Sequence, residues 1–183
     1  NRVVTISDGV RQEGQQWGDE HGLEIDEMSI TRAEVVKGPA SLMYGSDALA
    51  GVIQFISNTP VANGTYKGNV LMNYQSNNGL LAANANLAGN NNGFNWNING
   101  TYKSAGDYRN KYDGKVLNSR FNEKNFGGYI GLNKSWGYSH LIFSHFNQQL
   151  GVVEGDRDDA TGEFILFGGS PLERIATRED LDS

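Results

Sequence analysis

The sequence contains no cysteine, which removes disulfides, thiolate metal sites and cysteine nucleophiles together. It has three prolines and no apolar run near the ~20 residues that a membrane-spanning helix needs. Positive charge is also scarce: 15 Lys and Arg against 21 Asp and Glu leave a formal net charge of −6, which disfavours a nucleic-acid partner. No basic segment followed by an apolar run opens the chain, so the N-terminus does not read as a signal peptide. Instead Val3-Val4-Thr5-Ile6 reads as a strand already under way, as if the chain starts inside something larger. Ser7 and Ser41 lie in no nucleophile-elbow pattern, and the glycines of "GPASLMYG" match neither a dinucleotide nor a phosphate loop. An enzyme is therefore not expected, with no catalytic residues, no covalent cofactor and no bound metal.

What the chain does have is glycine, 24 in 183 residues, and abundant asparagine. The first third reads as mixed structure. "RVVTISDGV" is a β-branched strand closed by the turn pair Asp8-Gly9. "RQEGQQWGDEHG" is a polar loop. A second β-run follows from Ala33 to Val36. Gly38-Pro39 breaks it, and Pro39 suits the first turn of a short helix over "PASLMY". Gly45 sits where a left-handed cap is cheap, Ser46 or Asp47 can cap the next turn, and "GVIQFIS" is another strand.

From about Lys67 the periodicity becomes two. Val70, Met72 and Tyr74 oppose Asn69, Asn73 and Gln75. Leu81, Ala83, Ala85 and Leu87 oppose Asn84 and Asn86. Phe94, Trp96, Ile98 and Tyr102 oppose Asn95, Asn97, Asn99, Thr101 and Lys103. Phe126, Ile130 and Leu132 oppose Tyr129 and Asn133, and "YSHLIFSHFN" is a fifth run. The connections alternate between short and long. "GNNNG" and "SWG" are tight, whereas Ser104 to Glu123 and everything after Gln148 are long and polar.

Such alternation fits half of a soluble β-sandwich, and equally an outer-membrane barrel with short turns on one side and long loops on the other. Two features lean toward the barrel. Tyr66, Tyr74, Phe94 and Tyr102 lie near strand ends, where an interfacial aromatic girdle belongs. The opposite faces carry neutral amides, suited to a wet lumen, where a soluble surface favours Lys and Glu. This reading puts 104–123 and 148 onward outside the cell, and 89–93 and 135–137 on the inner side.

The stretch "ITRAEVVKGPASLMYGSDALAGVIQFISNTP" resembles the end of the plug domain of TonB-dependent outer-membrane receptors. Arg32, Glu34, Val35, Lys37, Gly38, Pro39, Ala40, Ser41, Tyr44, Gly45, Ala50, Gly51, Val52 and Ile53 carry the resemblance in order, and "VVTISDGVR" resembles an earlier plug strand. Ala50-Gly51 replaces the family's frequent Gly-Gly. The resemblance implies a mainly β chain: a small α+β plug portion over 1–60, and over 61–183 the first five or so strands of a plugged transmembrane antiparallel β-barrel, too few to close one. It implies residence in the outer membrane of a Gram-negative bacterium. The implied partners are membrane lipid, a small-molecule nutrient and the TonB complex, which is contacted through a segment this chain lacks. The nutrient implied first is an iron complex, siderophore or heme. A soluble β-rich glycan-binding or adhesion module is the alternative.

The resemblance makes Arg32, Glu34 and Lys37 a polar latch between plug and barrel wall, and Gly38, Pro39, Tyr44, Gly45 and Gly51 structural turns. Trp17 and His21, in the polar loop, are candidate ligand contacts, through ring stacking and through imidazole binding to heme iron. His140 and His145 differ by an odd number, so one strand cannot turn both to the lumen. The acid-rich run around Glu154, Asp156, Asp158 and Asp159 offers hard oxygen ligands but reads better as a solvated loop.

Overall fold

A computed structural model of the chain describes residues 3–12, 23–45, 48–57, 60–151, 153, 159–160, 165–166 and 174–175. Trp17, His21, the caps at Ser46 and Asp47, and Glu154, Asp156 and Asp158 fall outside the described residues.

The first third forms a four-stranded sheet. Strand β1 (Val3–Ser7) turns back into β2 (Val10–Gln12) through Asp8-Gly9. Both turn residues are left-handed, with φ of 46° and 86°, as a two-residue hairpin turn matched to strand twist requires. Strand β3 (Arg32–Val36) leads into a 3-10 turn over Gly38–Tyr44, and β4 (Gly51–Ile56) returns to lie parallel to β1 and antiparallel to β3, giving the order β2-β1-β4-β3. The expected helix over "PASLMY" is thus the tighter 3-10 form. Gly38 and Gly45 bracket it with φ of 74° and 105°. Gly51 has φ of 130°, and a Cβ there would stand 2.9 Å from the Val36 carbonyl oxygen. Behind the sheet Val4, Ile6, Ala48 and Val52 are buried, with Val36 packed against them. At about 1.5–3 kcal/mol per buried aliphatic side chain, so small a core holds the sheet only modestly.

Five long strands follow: β5 (Tyr66–Gln75), β6 (Leu80–Asn91), β7 (Phe94–Ala105), β10 (Phe121–Lys134) and β11 (Gly137–His145). Each neighbours the next, in the order β11-β10-β7-β6-β5. Short β12 (Gln148–Leu150) pairs β10 in the register that β11 began. The two-residue connection Asn92-Gly93 has φ of 50° and 82° and is the favoured hairpin turn.

The long polar connection read over 104–123 is shorter and more ordered than that reading. Strand β7 continues to Ala105 and β10 begins at Phe121. Between them β8 (Arg109–Asn110) and β9 (Gly114–Lys115) make a small hairpin. Side chains extend its ladder. Asn77 Oδ1 accepts the Arg109 N–H at 2.7 Å, and Asn77 Nδ2 donates to the Arg109 carbonyl at 2.9 Å. Asp107 Oδ1 accepts the N–H groups of Ser119 and Arg120. Asn and Asp bond to backbone so readily that a structured loop rich in them looks irregular as text.

The long sheet is inside out. Asn84, Asn95, Asn97, Asn99, Thr101, Lys103, Glu123 and Asn125 are buried, while Leu87, Phe94, Ile98, Phe126, Ile130 and Leu141 are exposed. A buried polar row behind an exposed apolar face is the reverse of a water-soluble sheet, and it is the design of a transmembrane barrel wall. The long strands, each beside the next in up-and-down order, are an unclosed part of that wall.

By internal packing the chain falls into two compact units. One holds Asn1–Leu71, Asn84–Thr101 and Asn125–Phe146; the other holds Met72–Ala83, Tyr102–Lys124 and Asn147–Ser183.

Candidate functional site

Within the first unit, the segment joining β2 to β3 meets the inward row of the wall. Asp26 organises it. Its Oδ1 accepts the Met28 N–H at 3.2 Å, and its carbonyl accepts the Ser29 N–H at 3.1 Å and the Ser29 hydroxyl at 2.8 Å. This is an Asx-type turn, the local habit of Asp followed by Ser three residues on. Its other carboxylate oxygen, Oδ2, accepts the Thr101 hydroxyl of β7 at 2.6 Å. Thr101 Oγ1 in turn accepts Asn84 Nδ2 of β6 at 2.7 Å. Carboxylate, hydroxyl and amide thus form one chain across plug and two wall strands. Thr101 and Asn84 are 5% and 2% exposed, so these bonds are shielded from water and polarise one another, and the one to the carboxylate is charge-assisted.

The wall beside this chain is an amide ladder. Asn97 Nδ2 donates to Asn86 Oδ1 at 3.2 Å, Asn86 Nδ2 donates back at 3.4 Å, and Asn99 Nδ2 donates to Asn97 Oδ1 at 3.3 Å. Two cavities flank the Asp26 turn. The larger, about 570 Å³, is lined by wall residues Lys67, Asn69, Asn84, Asn86 and Asn97 and by the 28–31 and 60–62 segments. The smaller, about 240 Å³, lies against Asp8, Glu24, Asp26, Asn99, Asn125 and the end of β11. Ser29, Ile30 and Ser57 line both.

The residues expected to form a latch lie on the edge strand of the plug sheet. Arg32 Nε pairs with Glu34 Oε1 at 2.9 Å, with 62% and 44% of their side chains exposed. They bond to each other, and an exposed pair of this kind contributes little, about 0–1 kcal/mol. Lys37 is exposed just beyond β3. Gly38, Pro39, Tyr44 and Gly45 lie in and at the end of the 3-10 turn, and Gly51 opens β4. Ser41 Oγ staples that region, within 2.8 Å of the Gly38 and Ala48 carbonyl oxygens. Asp8, whose left-handed backbone makes the first hairpin, also accepts the Ser57 N–H at 2.9 Å and bonds the Ser57 hydroxyl, fixing the exit of β4.

His140 and His145 divide between the two faces of β11. His140 lies opposite Gly131 and its ring approaches buried Tyr129 at 5.5 Å; His145 lies opposite Phe126, rings 4.9 Å apart, on the apolar side. The second unit holds a buried ion pair, Lys103 Nζ to Glu123 Oε1 at 2.7 Å, with side chains 6% and 4% exposed. Gln148 Nε2 donates to the other Glu123 oxygen at 3.0 Å.

Sequence reasoning does not find Asp26 or Lys103–Glu123 as contacts. Alternation puts Thr101 and Lys103 on the polar face of their strand, but nothing local pairs Asp26 with a residue 75 positions away.

Known proteins share parts of this chain. The TonB-dependent receptor plug domain family matches residues 1–52. A hemin receptor of Yersinia pestis is 47% identical over 53 residues, 29% of this chain and 8% of that protein. A vitamin B12 transporter of Vibrio vulnificus is 44% identical over 57 residues, 31% of this chain and 9% of that protein. An iron-regulated outer membrane virulence protein of Vibrio cholerae is 39% identical over 64 residues, 31% of this chain and 10% of that protein. The matched stretches amount to a tenth or less of the length of these relatives.

Proposed function

We propose that this chain, which belongs to the TonB-dependent receptor family, is the end of the plug and the first wall strands of an outer-membrane receptor that captures a scarce nutrient and imports it with inner-membrane energy. The observation that carries the reading is the inverted long sheet, with buried asparagines on one face, apolar side chains on the other, and the Asp26 turn bonded to the polar face within the first unit. A barrel as wide as this family builds is held shut by a plug, and a plug seated on amides rather than packed into a hydrophobic core can be displaced without unfolding the wall.

The cargo we favour is an iron complex, siderophore or heme; relatives named for hemin and for vitamin B12 match the chain about equally well, so the plug alone does not choose between them. The TonB complex is the energy-coupling partner, and outer-membrane lipid the partner of the outward face. Growth of a receptor knockout complemented with the full-length protein, on hemin, a ferric siderophore or vitamin B12 as the limiting source, tests the cargo. Rescue by none of these would remove the reading. Hemin titration followed at the Soret band, with and without His21→Ala and Trp17→Ala, tests those two residues as ligand contacts. Arg32, Glu34 and Lys37 are proposed to bond across plug and wall in the whole receptor. Glu34→Gln should then lower the urea concentration at which the plug releases, and an unchanged release midpoint with unchanged uptake would count against the latch.

A further inference from the structure

On the outward face of the wall, within the first unit, an apolar groove contains one hydroxyl. The groove has a volume of about 230 Å³ and is lined by Phe94, Ile130, Gly131, Leu132, Ser139 and Leu141. Leu132 lies opposite Ser139 across β10 and β11, and Ile130 lies opposite Leu141. Phe94, Ile130, Leu132 and Leu141 are all exposed. Ser139 is the single polar side chain in this lining, and a hydroxyl facing hydrocarbon is costly unless something bonds it. The chemistry changes in order along the β10–β11 hairpin. At its turn Trp136 is exposed. Beside the turn Lys134, opposite Gly137, donates from Nζ to the Asn92 carbonyl at 2.5 Å, which uses one of the three donors of an ammonium. Ser139 follows two residues beyond Gly137, roughly 7 Å along the strand, and Leu141 follows two residues beyond that.

A cation with an amphipathic ring, then a hydroxyl, then hydrocarbon is the order that a glycerophospholipid matches with its phosphate, its ester carbonyl and its acyl chain. We propose that this groove holds one acyl chain of a single glycerophospholipid, with the Ser139 hydroxyl donating to an ester carbonyl and with Lys134 and Trp136 at the phosphate. The volume is below the roughly 300–1,000 Å³ of sites built for compact ligands and suits one extended chain. Charge complementarity selects the phosphate, because the cation beside the groove is Lys134. The amphipathic indole of Trp136 belongs at the same headgroup level. The lipid held here differs from the exchanging bilayer around it, because polar contacts at two depths fix it to the wall.

This inference deepens the reading of the outward face as lipid-facing and rests on it. The test uses the full-length receptor, freed of lipid in detergent and titrated with phosphatidylglycerol, with bound lipid counted by native mass spectrometry. The wild type should retain one phosphatidylglycerol more tightly than any further copies. Ser139→Ala should weaken that first site roughly fivefold, as losing one hydrogen bond does, and Ser139→Thr, which keeps a hydroxyl, should restore it. Leu141→Trp, which fills the groove, should abolish the first site, while Ile98→Trp, elsewhere on the outward face, should leave it unchanged. The serine variants serve if the tryptophan variant does not fold. Diacylglycerol, which has the esters and chains without the phosphate, should be held more weakly than phosphatidylglycerol. Retention that is equal in wild type, Ser139→Ala and Leu141→Trp overturns the groove, and equal retention of diacylglycerol overturns the phosphate contact. A folded receptor whose lipids all bind alike overturns the single site while leaving the receptor reading intact. A full-length protein that stays folded and monomeric in plain buffer removes the receptor reading, and the groove with it.

Discussion

Lys103 and Glu123 show how much one buried pair depends on its partner. With both side chains more than nine-tenths buried, removing one leaves an uncompensated charge, which costs about 3–5 kcal/mol, whereas replacing both with apolar groups of similar volume is often neutral. Lys103→Met in the full receptor should therefore lower the heat-modification temperature on gels clearly, and the double variant Lys103→Met with Glu123→Leu should recover most of it. Equal losses in the single and double variants would show that the pair acts through packing alone. Arg32 and Glu34 make the opposite case. Their ion pair is comparably short, at 2.9 Å, but exposed; breaking it should move the plug's own stability by less than about 1 kcal/mol, so a larger effect of Glu34→Gln on plug release would come from contacts across to the wall. Arg32, Glu34 and Lys37 stand out in the sequence because charge is visible in text. Asp26 does not, because its importance comes from groups far along the chain such as the Thr101 hydroxyl.

Among the elements, the β6–β7 hairpin is the best determined. Asn92 and Gly93 adopt the left-handed pair that a two-residue hairpin demands, and a Cβ on Gly93 would overlap the Asn133 carbonyl oxygen of the neighbouring strand, whose N–H donates to the Gly93 carbonyl at 2.7 Å. Gly93→Ala should cost about 1–2 kcal/mol in backbone conformation and more through that overlap, seen as a lower yield of heat-modifiable, folded receptor. A yield equal to wild type would mean that the turn has another form. The faces of β7 make a second prediction. Ile98→Arg puts a charge on the outward side, with a cost of about 2–4 kcal/mol near the bilayer midplane, while Ser or Gln at inward Asn97 should be far milder. Equal tolerance at the two positions would sink the assignment of faces. Period-two patterning is enough to make these faces legible, because every second side chain of a strand shares one environment. The loop between β7 and β10 is not legible in the same way, since its order comes from Asn77 and Asp107 bonding to backbone far along the chain.

Within the first compact unit, a sheet with a core of a few aliphatic residues is joined to amides and hydroxyls of the long strands through the Asp26 turn. A seam of a few hydrogen bonds contributes only about 1 kcal/mol net per bond, less than the burial that holds a packed hydrophobic interface. Plug release by urea should therefore precede loss of the long strands, and two separate transitions, one in exchange over β1 and β4 and a later one in heat-modifiability, are expected. A single coincident transition would make plug and wall one cooperative body.

Local order along the chain was enough to specify the parts. Alternation set the strands and their two faces, Asp8-Gly9 and Asn92-Gly93 set the turns, and the run from Ile30 to Pro60 set the kind of plug, because each of these is written in neighbours a few residues apart. Which polar groups meet was settled by folding alone: Asp26 with Thr101 and Asn84, Lys103 with Glu123, Asn86 with Asn97. Such pairings depend on strand order and register, which bring together residues from 11 to 75 positions apart. No local propensity encodes a distance of that kind.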